Sequence, residues 1–274
     1  MNLHAPIGVF DSGIGGLSIQ RALCAALPQA RFAYLADSGF APYGERAPEH
    51  ALERALWVTE YLRSRHQIQA LVVACNTATA AAIDVLRKQH PDLPFIGVEP
   101  AVKPAAALTR TGRITVWATR GTLTSPRFQQ LVQRLPTTVH VHAVACDGLA
   151  EAIEAYTASG NPDRVQRLCT HYLEQGGPYG TQAGASDLLV LGCTHYPLVS
   201  DHLQAALGTQ VQLQDPGIAV ARQLMRCLPA VQKDDAGSVT PPTHWMGCTG
   251  SSTALELAAL RWLNWQLRPE DVRS

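Results

Sequence analysis

The chain has 274 residues, 46% of them apolar, and its 22 basic and 22 acidic residues balance to a net charge near zero. This length is comfortable for two domains with ordinary apolar cores. The balanced charge argues against a nucleic-acid surface or a polyanionic partner, because both normally require a basic excess. No apolar run approaches the roughly 18 residues of a membrane span, so we expect no membrane association.

The N-terminal residues and the cysteines together predict a cytoplasmic protein. The opening residues "MNLHAPIGVF" enter a strand pattern almost at once and show no basic region followed by a long apolar one, as a signal peptide would. The seven cysteines are an odd number without close disulfide-type spacing. This combination predicts reduced thiols in the cytosol.

Strand-like apolar runs alternate with helical patterns in the first part of the chain. The predicted strands are Ile7–Phe10, Arg31–Ala36, Ala70–Ala74 and Phe95–Val98. The predicted helices between them are Leu17–Ala26, Pro48–Arg65 and Thr77–Gln89. This order is typical of an α/β fold with mostly parallel sheets.

The same alternation starts again after "GVEP". The predicted strands are Ile114–Ala118, Val139–Val144 and Leu188–Leu191, and the predicted helices are one beginning at Ser125, Gly148–Ala158 and Pro162–Gln175. Glycine- and proline-rich segments at 176–186 and 228–243 are predicted to be exposed loops. Two strand–helix pairs flank the second loop and complete the pattern.

The repeated order predicts two similar lobes, each a mostly parallel sheet flanked by helices. We expect residues 1–98 and 209–274 to form the first lobe, because the C-terminal segment crosses back to it, and residues 99–208 to form the second. Ligands of open α/β sheets bind beyond the carboxyl ends of the strands. The sequence therefore predicts an active site in the cleft between the lobes.

The stretch "FDSGIGGLS" (10–18) follows the first predicted strand and opens a helix. Asp11 and Ser12 precede three glycines, which would let backbone N–H groups approach an anion at the helix N-terminus. A tight strand-to-helix turn without a ligand explains the same glycines.

A dinucleotide-binding fingerprint is a third interpretation of this stretch. Gly13 and Gly15 fit its first two glycines, and Asp37 lies near the place of a ribose-binding acid. The third glycine position holds Ser18, however, and Asp11 would repel a pyrophosphate. The match is incomplete, so a nicotinamide enzyme is disfavoured.

The stretch "VVACNTATAA" places Cys75 between a strand and a helix that Asn76 or Thr77 would cap. A helix N-terminus favours the thiolate, so we expect the pKa of Cys75 to lie below the ordinary value of about 8.5.

The stretch "VLGCTHYPLV" repeats this design at Cys193, which ends a strand before a turn containing Pro197. His195 follows closely enough to hold or relay the thiol proton. The tripeptide Cys-Thr-His of residues 193–195 also occurs at 169–171. There Cys169 lies on the apolar face of a predicted helix and is most simply a core residue.

The remaining cysteines carry little chemical signal. Cys248 also ends a predicted strand but has no following histidine, so we expect a structural role. A metal site on the strand "HVHAVAC" is a weak alternative, since two ligands on a buried strand are a weak signal. The cysteines in apolar contexts are Cys24, Cys146 and Cys227, and the candidate metal ligands are His140, His142 and Cys146.

Two thiols facing each other across a cleft would invert a stereocentre. One thiol accepts the proton from one face of a substrate carbon, and the other donates a proton to the opposite face. A redox pair is the competing use of two cysteines, but it usually has the spacing C-x-x-C, which this sequence lacks.

The sequence resembles the glutamate racemase family, within the aspartate/glutamate racemase superfamily, along nearly its whole length. The stretches that carry the resemblance are "FDSGIGGLS", "PYGER" (42–46), "VVACNTATAAAI" (72–83), "GVEPAVKPA" (97–105), "ATRGTLTS" (118–125) and "LGCTHYPL" (191–198). The resemblance implies interconversion of L- and D-glutamate without cofactor or metal. It also implies a role in supplying D-glutamate for peptidoglycan, and thus in cell-wall biogenesis and cell shape.

The resemblance further implies the residues that act. Cys75 would take the α-proton of D-glutamate with help from Asp11, and Cys193 that of L-glutamate with help from His195 and Glu154. The implied substrate-binding residues are Asp11, Ser12, Pro42, Tyr43, Gly44, Asn76, Thr77, Thr119, Thr122, Thr194 and His195.

Other readings of the sequence remain open. An aspartate racemase would share the two thiols and differ in pocket length. A thiol hydrolase or a non-catalytic amino-acid-binding regulator would not need both. The expected partner is glutamate, with no nucleic acid required and no membrane, and a homodimer is left open.

Overall fold

The computed structural model describes residues 5–228 and 243–273, and the predicted α/β class is confirmed there. The strands are β1 Ile7–Asp11, β2 Phe32–Ala36, β3 Ala70–Val73, β4 Phe95–Gly97, β5 Arg113–Ala118, β6 His140–Ala145, β7 Leu188–Leu191, β8 Gln212–Gln214, β9 Trp245–Cys248 and β10 Glu270–Asp271. The helices are α1 Leu17–Ala26, α2 Pro48–His66, α3 Asn76–Gln89, α4 Val102–Leu108, α5 Arg120–Thr124, α6 Pro126–Gln133, α7 Leu149–Ser159, α8 Asp163–Gln175, α9 Ser200–Leu207, α10 Gly217–Cys227 and α11 Ser252–Leu263.

The described strands form two parallel sheets. The first has the order β10-β9-β2-β1-β3-β4, and the second has the order β6-β5-β7-β8. Strands β1, β2, β3 and β7 are buried along their whole length, which explains their continuous apolar sequences. Because all the pairs are parallel, the residues that follow β1 and β3 emerge at the same edge of the first sheet.

Strand β8 corrects the predicted lobe boundary. We expected the segment after residue 208 to join the first lobe, but Gln212–Gln214 pairs with β7 in the second sheet. The chain crosses back only afterwards: α10 packs against α1, and β9 pairs with β2. The apolar pattern of a three-residue strand is too short to show which sheet it will join.

The predicted loops have different outcomes. Residues 229–242, nearly all of the second loop, lie outside the described residues. In the first loop, residues 181–184 are exposed as predicted, but Ala185 and Ser186 are buried. Ser186 accepts a hydrogen bond of 2.9 Å from the hydroxyl of Thr115, which fixes the end of the loop against β5.

The described part of the chain contains no helix of the length and apolar character that a membrane crossing requires.

Candidate active site

Cys75 lies at the end of β3 and is itself the N-cap of α3. Its Sγ accepts a hydrogen bond of 3.4 Å from the backbone N–H of Ala78, and its own backbone is extended. The prediction that Asn76 or Thr77 caps the helix is therefore wrong, because both residues are already helical.

The pKa of Cys75 is raised, to about 12, which contradicts the predicted lowering. Burial is the main cause, since it disfavours the charged thiolate, and the neighbouring charge of Asp11 adds to it. The hydrogen bonds from Ala78 and Ser12 act in the opposite direction but are outweighed. The hydroxyl of Ser12 lies 3.6 Å from the sulfur.

Asp11 is fully buried at the end of β1. Its Oδ2 accepts hydrogen bonds from the backbone N–H groups of Gly13 and Gly16, at 3.0 and 2.9 Å. Its Oδ1 accepts one of 3.4 Å from the hydroxyl of Thr194, a residue that follows β7 of the second sheet. Burial raises the pKa of Asp11, and the charge of His195 partly opposes this. The charge of Asp11 is in turn one of the causes that raise the pKa of Cys75.

Cys193, His195 and Glu154 form a chain of proton-carrying groups. Sγ of Cys193 lies 3.7 Å from Nδ1 of His195, and Nε2 of His195 lies 2.9 Å from Oε1 of Glu154. Burial alone would lower the pKa of His195, but the hydrogen bonds to Cys193 and Glu154 raise it well above its ordinary value. Burial would raise the pKa of Glu154, and the hydrogen bond from His195 instead lowers it. These shifts favour an imidazolium–carboxylate pair.

The surroundings of the two cysteines meet at the turn after β1, because Ser12 contacts Cys75 and the adjacent Asp11 accepts a hydrogen bond from Thr194, which follows Cys193. Gly13 and Gly15 permit this closeness. A Cβ atom at Gly13 would clash with Oε1 of Glu154, and one at Gly15 would clash with the ring of His195. The glycines therefore bring the β1–α1 turn against the second lobe.

Threonine hydroxyls and an asparagine line the neighbouring part of the cleft. Oγ1 of Thr119 lies 3.1 Å from Oγ1 of Thr77 and 3.0 Å from that of Thr122, so a chain of hydroxyls joins α3 to α5. Asn76 directs Nδ2 to the carbonyl of Val98 at 3.5 Å. Its Oδ1 is buried and has no hydrogen-bond partner among the described residues.

The loop containing Pro42, Tyr43 and Gly44 reaches the second lobe through its backbone. The carbonyl of Gly44 accepts a hydrogen bond of 3.2 Å from the N–H of Gly121. The side chain of Tyr43 is buried and donates its hydroxyl proton to Asp37, so it is directed away from Gly121 and into the first lobe. Pro42 is exposed.

Asp37 is part of a buried network and is not a ribose-binding acid. Both of its oxygens accept hydrogen bonds from Arg54, at 2.8 and 2.9 Å, and Oδ1 accepts another of 2.8 Å from Thr249. With Tyr43 also bound, the carboxylate has no capacity left for a ribose. The dinucleotide interpretation is therefore wrong.

Cys169, Cys248, His140 and His142 have none of the contacts described for Cys75 and Cys193, whereas Cys146 lies near the Cys193 side, where its carbonyl accepts a hydrogen bond from Tyr196. Cys169 lies on the buried face of α8, as predicted, and Cys248 is fully buried. His140 and His142 are exposed on β6, and His142 contacts the carbonyl of Gln175 at 3.0 Å. Within residues 5–228 and 243–273 no group of three His, Cys, Asp or Glu residues is suited to hold a metal ion.

Sequence reasoning missed Ser18 and Tyr34 as parts of the site. Ser18 donates a hydrogen bond of 2.7 Å to the carbonyl of Thr194, and Tyr34 donates one of 3.0 Å to the carbonyl of Gly13. The only signal was that each is a polar residue at a position facing the core. Their partners are backbone carbonyls, which no motif specifies.

The chain belongs to the Asp/Glu/hydantoin racemase family, whose model matches residues 17–224. Its relatives within this family include glutamate racemases. The chain is 48% identical over 225 residues to the glutamate racemase of Ectopseudomonas mendocina, covering 82% of each chain. It is 32% identical to an isoform from Bacillus anthracis, with a TM-score of 0.83 and 99% and 98% of the two chains covered.

A further solved structure is the Escherichia coli glutamate racemase in complex with L-glutamate and the activator UDP-MurNAc-Ala. It is 29% identical, has a TM-score of 0.82 and covers 98% of both chains. These comparisons confirm the predicted resemblance and the predicted class of enzyme, an isomerase of the racemase type.

Proposed function

We propose that this protein interconverts L- and D-glutamate, with Cys75 and Cys193 as the two acid/base groups and without a cofactor. The observation that carries the proposal is that each thiol follows a buried central strand of a different sheet and has its own polar partners. Ser12 contacts the sulfur of Cys75, and the adjacent Asp11 contacts Thr194 beside Cys193, so the groups around both thiols meet at one place.

Each turnover moves one proton at each face of the α-carbon. Starting from L-glutamate, Cys193 takes the α-proton and Cys75 donates its own proton to the opposite face. The raised pKa of Cys75 keeps it protonated for this step. In the reverse direction Cys75 must first lose its proton, and the ammonium group of the bound substrate favours its thiolate.

The cleft offers neutral groups to hold the substrate. The hydroxyls of Ser12, Thr77, Thr119 and Thr122 can donate to the carboxylates, together with the N–H groups at the N-terminus of α3. The buried Oδ1 of Asn76 can accept a hydrogen bond from the ammonium group. Because these donors are neutral, they can hold the carboxylates of the substrate and leave the thiols free to ionise.

Glutamate is favoured over aspartate as the substrate, because relatives at 48% and 44% identity are glutamate racemases and the E. coli relative is in complex with L-glutamate. The product D-glutamate would supply peptidoglycan synthesis. A cytoplasmic location belongs to the same proposal, since all seven cysteines are free and the chemistry needs reduced thiols. Homodimerisation stays a prediction of the resemblance, which sedimentation analysis can test.

Circular dichroism of L-glutamate with dialysed, chelator-treated protein tests the proposed activity. The signal should decay to zero, and the same should hold from the D enantiomer. Retained optical activity with correctly folded protein would refute the proposal. Faster decay with aspartate than with glutamate would identify the aspartate racemase alternative instead.

A further inference from the structure

Ser18 belongs to the first lobe, but its side chain contacts the second. It lies on the first turn of α1 and is buried. Its hydroxyl is 2.7 Å from the carbonyl oxygen of Thr194 and 2.9 Å from that of Gly15. A serine hydroxyl has one proton to donate, and the shorter contact identifies Thr194 as its main acceptor.

The carbonyl of Thr194 needs a donor from outside its own turn. In the turn that follows β7, the carbonyl of Cys193 accepts from the N–H of Tyr196 at 3.1 Å, and the carbonyl of His195 accepts from Leu198 at 3.0 Å. The equivalent donor for Thr194 would be residue 197, which is a proline and has no N–H. A buried carbonyl without a partner is costly, so another group must supply the hydrogen bond.

Ser18 supplies that hydrogen bond, and other residues of the β1–α1 segment contact Thr194 and Glu154. Asp11 accepts from the hydroxyl of Thr194 at 3.4 Å, and the N–H of Ile14 donates to Glu154 at 3.3 Å. The segment from the end of β1 to α1 thus contacts Thr194, which precedes His195, and Glu154, which is hydrogen-bonded to the ring of His195. Thr194 is held at its carbonyl by Ser18 and at its hydroxyl by Asp11.

We propose that Ser18 is a positioning residue for the Cys193 half of the active site, because its hydrogen bond replaces the one that Pro197 cannot make. This inference rests on the proposed function. The first lobe thereby orients the thiol of Cys193 and the imidazole of His195 in the second lobe, so that Cys193 acts efficiently only when the lobes are in contact. Ser18 does not touch the substrate and acts through Thr194.

The test uses both enantiomers of 3-chloroglutamate, because elimination needs only one of the two bases. The base removes the α-proton, the electron pair of that bond forms the Cα–Cβ double bond, and chloride leaves with its bonding electrons. Water then hydrolyses the resulting enamine to 2-oxoglutarate and ammonium. The enantiomer whose elimination Cys193→Ser abolishes defines the Cys193 reaction, so no face has to be assumed.

Ser18→Ala should slow the Cys193 reaction about 10-fold and the other reaction less than about twofold, since sub-ångström misplacement of a reacting group costs rates of this order. The matched control is Thr59→Val, which removes a buried hydroxyl that bonds only to Ala55 in its own helix. It should leave both reactions unchanged. Equal slowing of both reactions by Ser18→Ala, or no slowing, would overturn the proposal.

A rescue variant separates positioning from a general loss of structure. Pro197→Ala restores an N–H at the position that can bond to the carbonyl of Thr194. The double variant Ser18→Ala, Pro197→Ala should regain most of the lost Cys193 reaction, and failure to regain any would contradict the mechanism. NMR signals of the His195 ring should shift in Ser18→Ala and return in the double variant. If the unaltered protein eliminates from neither enantiomer, the proposed function itself fails, while the NMR shifts still test the contact.

Discussion

His195 and Glu154 are joined by a hydrogen bond of 2.9 Å between Nε2 and Oε1, while the other ring nitrogen of His195 faces Cys193 at 3.7 Å. The two residues come from different elements, the turn after β7 and helix α7. Glu154 thus fixes the direction of the ring and holds a positive charge beside the thiol. We expect Glu154 to be a positioning residue for the Cys193 side, and this role can be measured through His195.

Glu154→Gln should lower the pKa of His195. The hydrogen bonds to Cys193 and Glu154 raise this pKa despite burial, and the amide removes the negative charge that contributes to it. The midpoint of the His195 ring titration, followed by NMR, should move to lower pH. The alkaline limb of the pH–rate profile measured from L-glutamate should move with it. The matched control is Glu151→Gln, because Glu151 lies on the same helix and pairs with the exposed Arg164. An unchanged His195 titration in Glu154→Gln would contradict this assignment.

Replacing either of two buried aspartates by asparagine should change the stability of the protein, but in opposite directions. Burial raises the pKa of Asp11, so its ionised form opposes folding at neutral pH, and stability is lost as pH rises above the ordinary value of 3.8. Asp11→Asn should raise Tm at pH 7 by about 2 °C or more, and this gain should disappear near pH 3. Asp11→Asn should at the same time reduce activity.

Asp37→Asn should instead destabilise the protein by roughly 2–3 kcal/mol, because it leaves the largely buried guanidinium of Arg54 without its ionic partner. Thermal unfolding of both variants across the pH range checks the pair of expectations. A lower Tm of Asp11→Asn at pH 7 would show that its hydrogen bonds outweigh the cost of the buried charge.

Replacing either of the two proposed catalytic cysteines should leave only one half of the chemistry. Cys75→Ser and Cys193→Ser should both lose racemisation, since each turnover needs two groups. Each should still eliminate chloride from one enantiomer of 3-chloroglutamate, and from opposite ones. Cys169→Ser is the control, because that thiol is buried on α8 away from the site. The same enantiomer preference in both catalytic variants would break the assignment to faces.

The α/β class was predictable, as were the places where polar residues follow the strands, because both depend on local patterns. Buried strands such as Leu188–Leu191 are short apolar runs, and polar residues follow them directly. The short helices Val102–Leu108 and Arg120–Thr124 were missed, since a helix of one or two turns shows no periodicity. The membership of β8 in the second sheet depends on its long-range partner and has no local signal.

The pKa of Cys75 shows a different limit of sequence reasoning. Its place at a helix N-terminus was correct, but the predicted lowering assumed some access to water. The structure buries the thiol beside Asp11, and burial dominates over the helix terminus. Burial of an individual atom depends on how two lobes pack together, which the sequence of either strand does not reveal. The contact of Ser18 with Thr194 was unpredictable for the same reason.

Asp11 and His195 should act as partners of different thiols. Because the enantiomers of glutamate have equal free energies, kcat/KM for racemisation must stay equal in the two directions in every variant. One-way elimination from 3-chloroglutamate is free of this constraint.

His195→Asn should slow the reaction that begins at Cys193 by about 100-fold or more, the usual scale for losing an acid/base partner. Asp11→Asn should change mainly the rate of the reaction that begins at Cys75, because the charge of Asp11 contributes to the raised pKa of that thiol. Equal slowing of both enantiomers in both variants would mean that these residues bind the substrate in general and do not serve one face each.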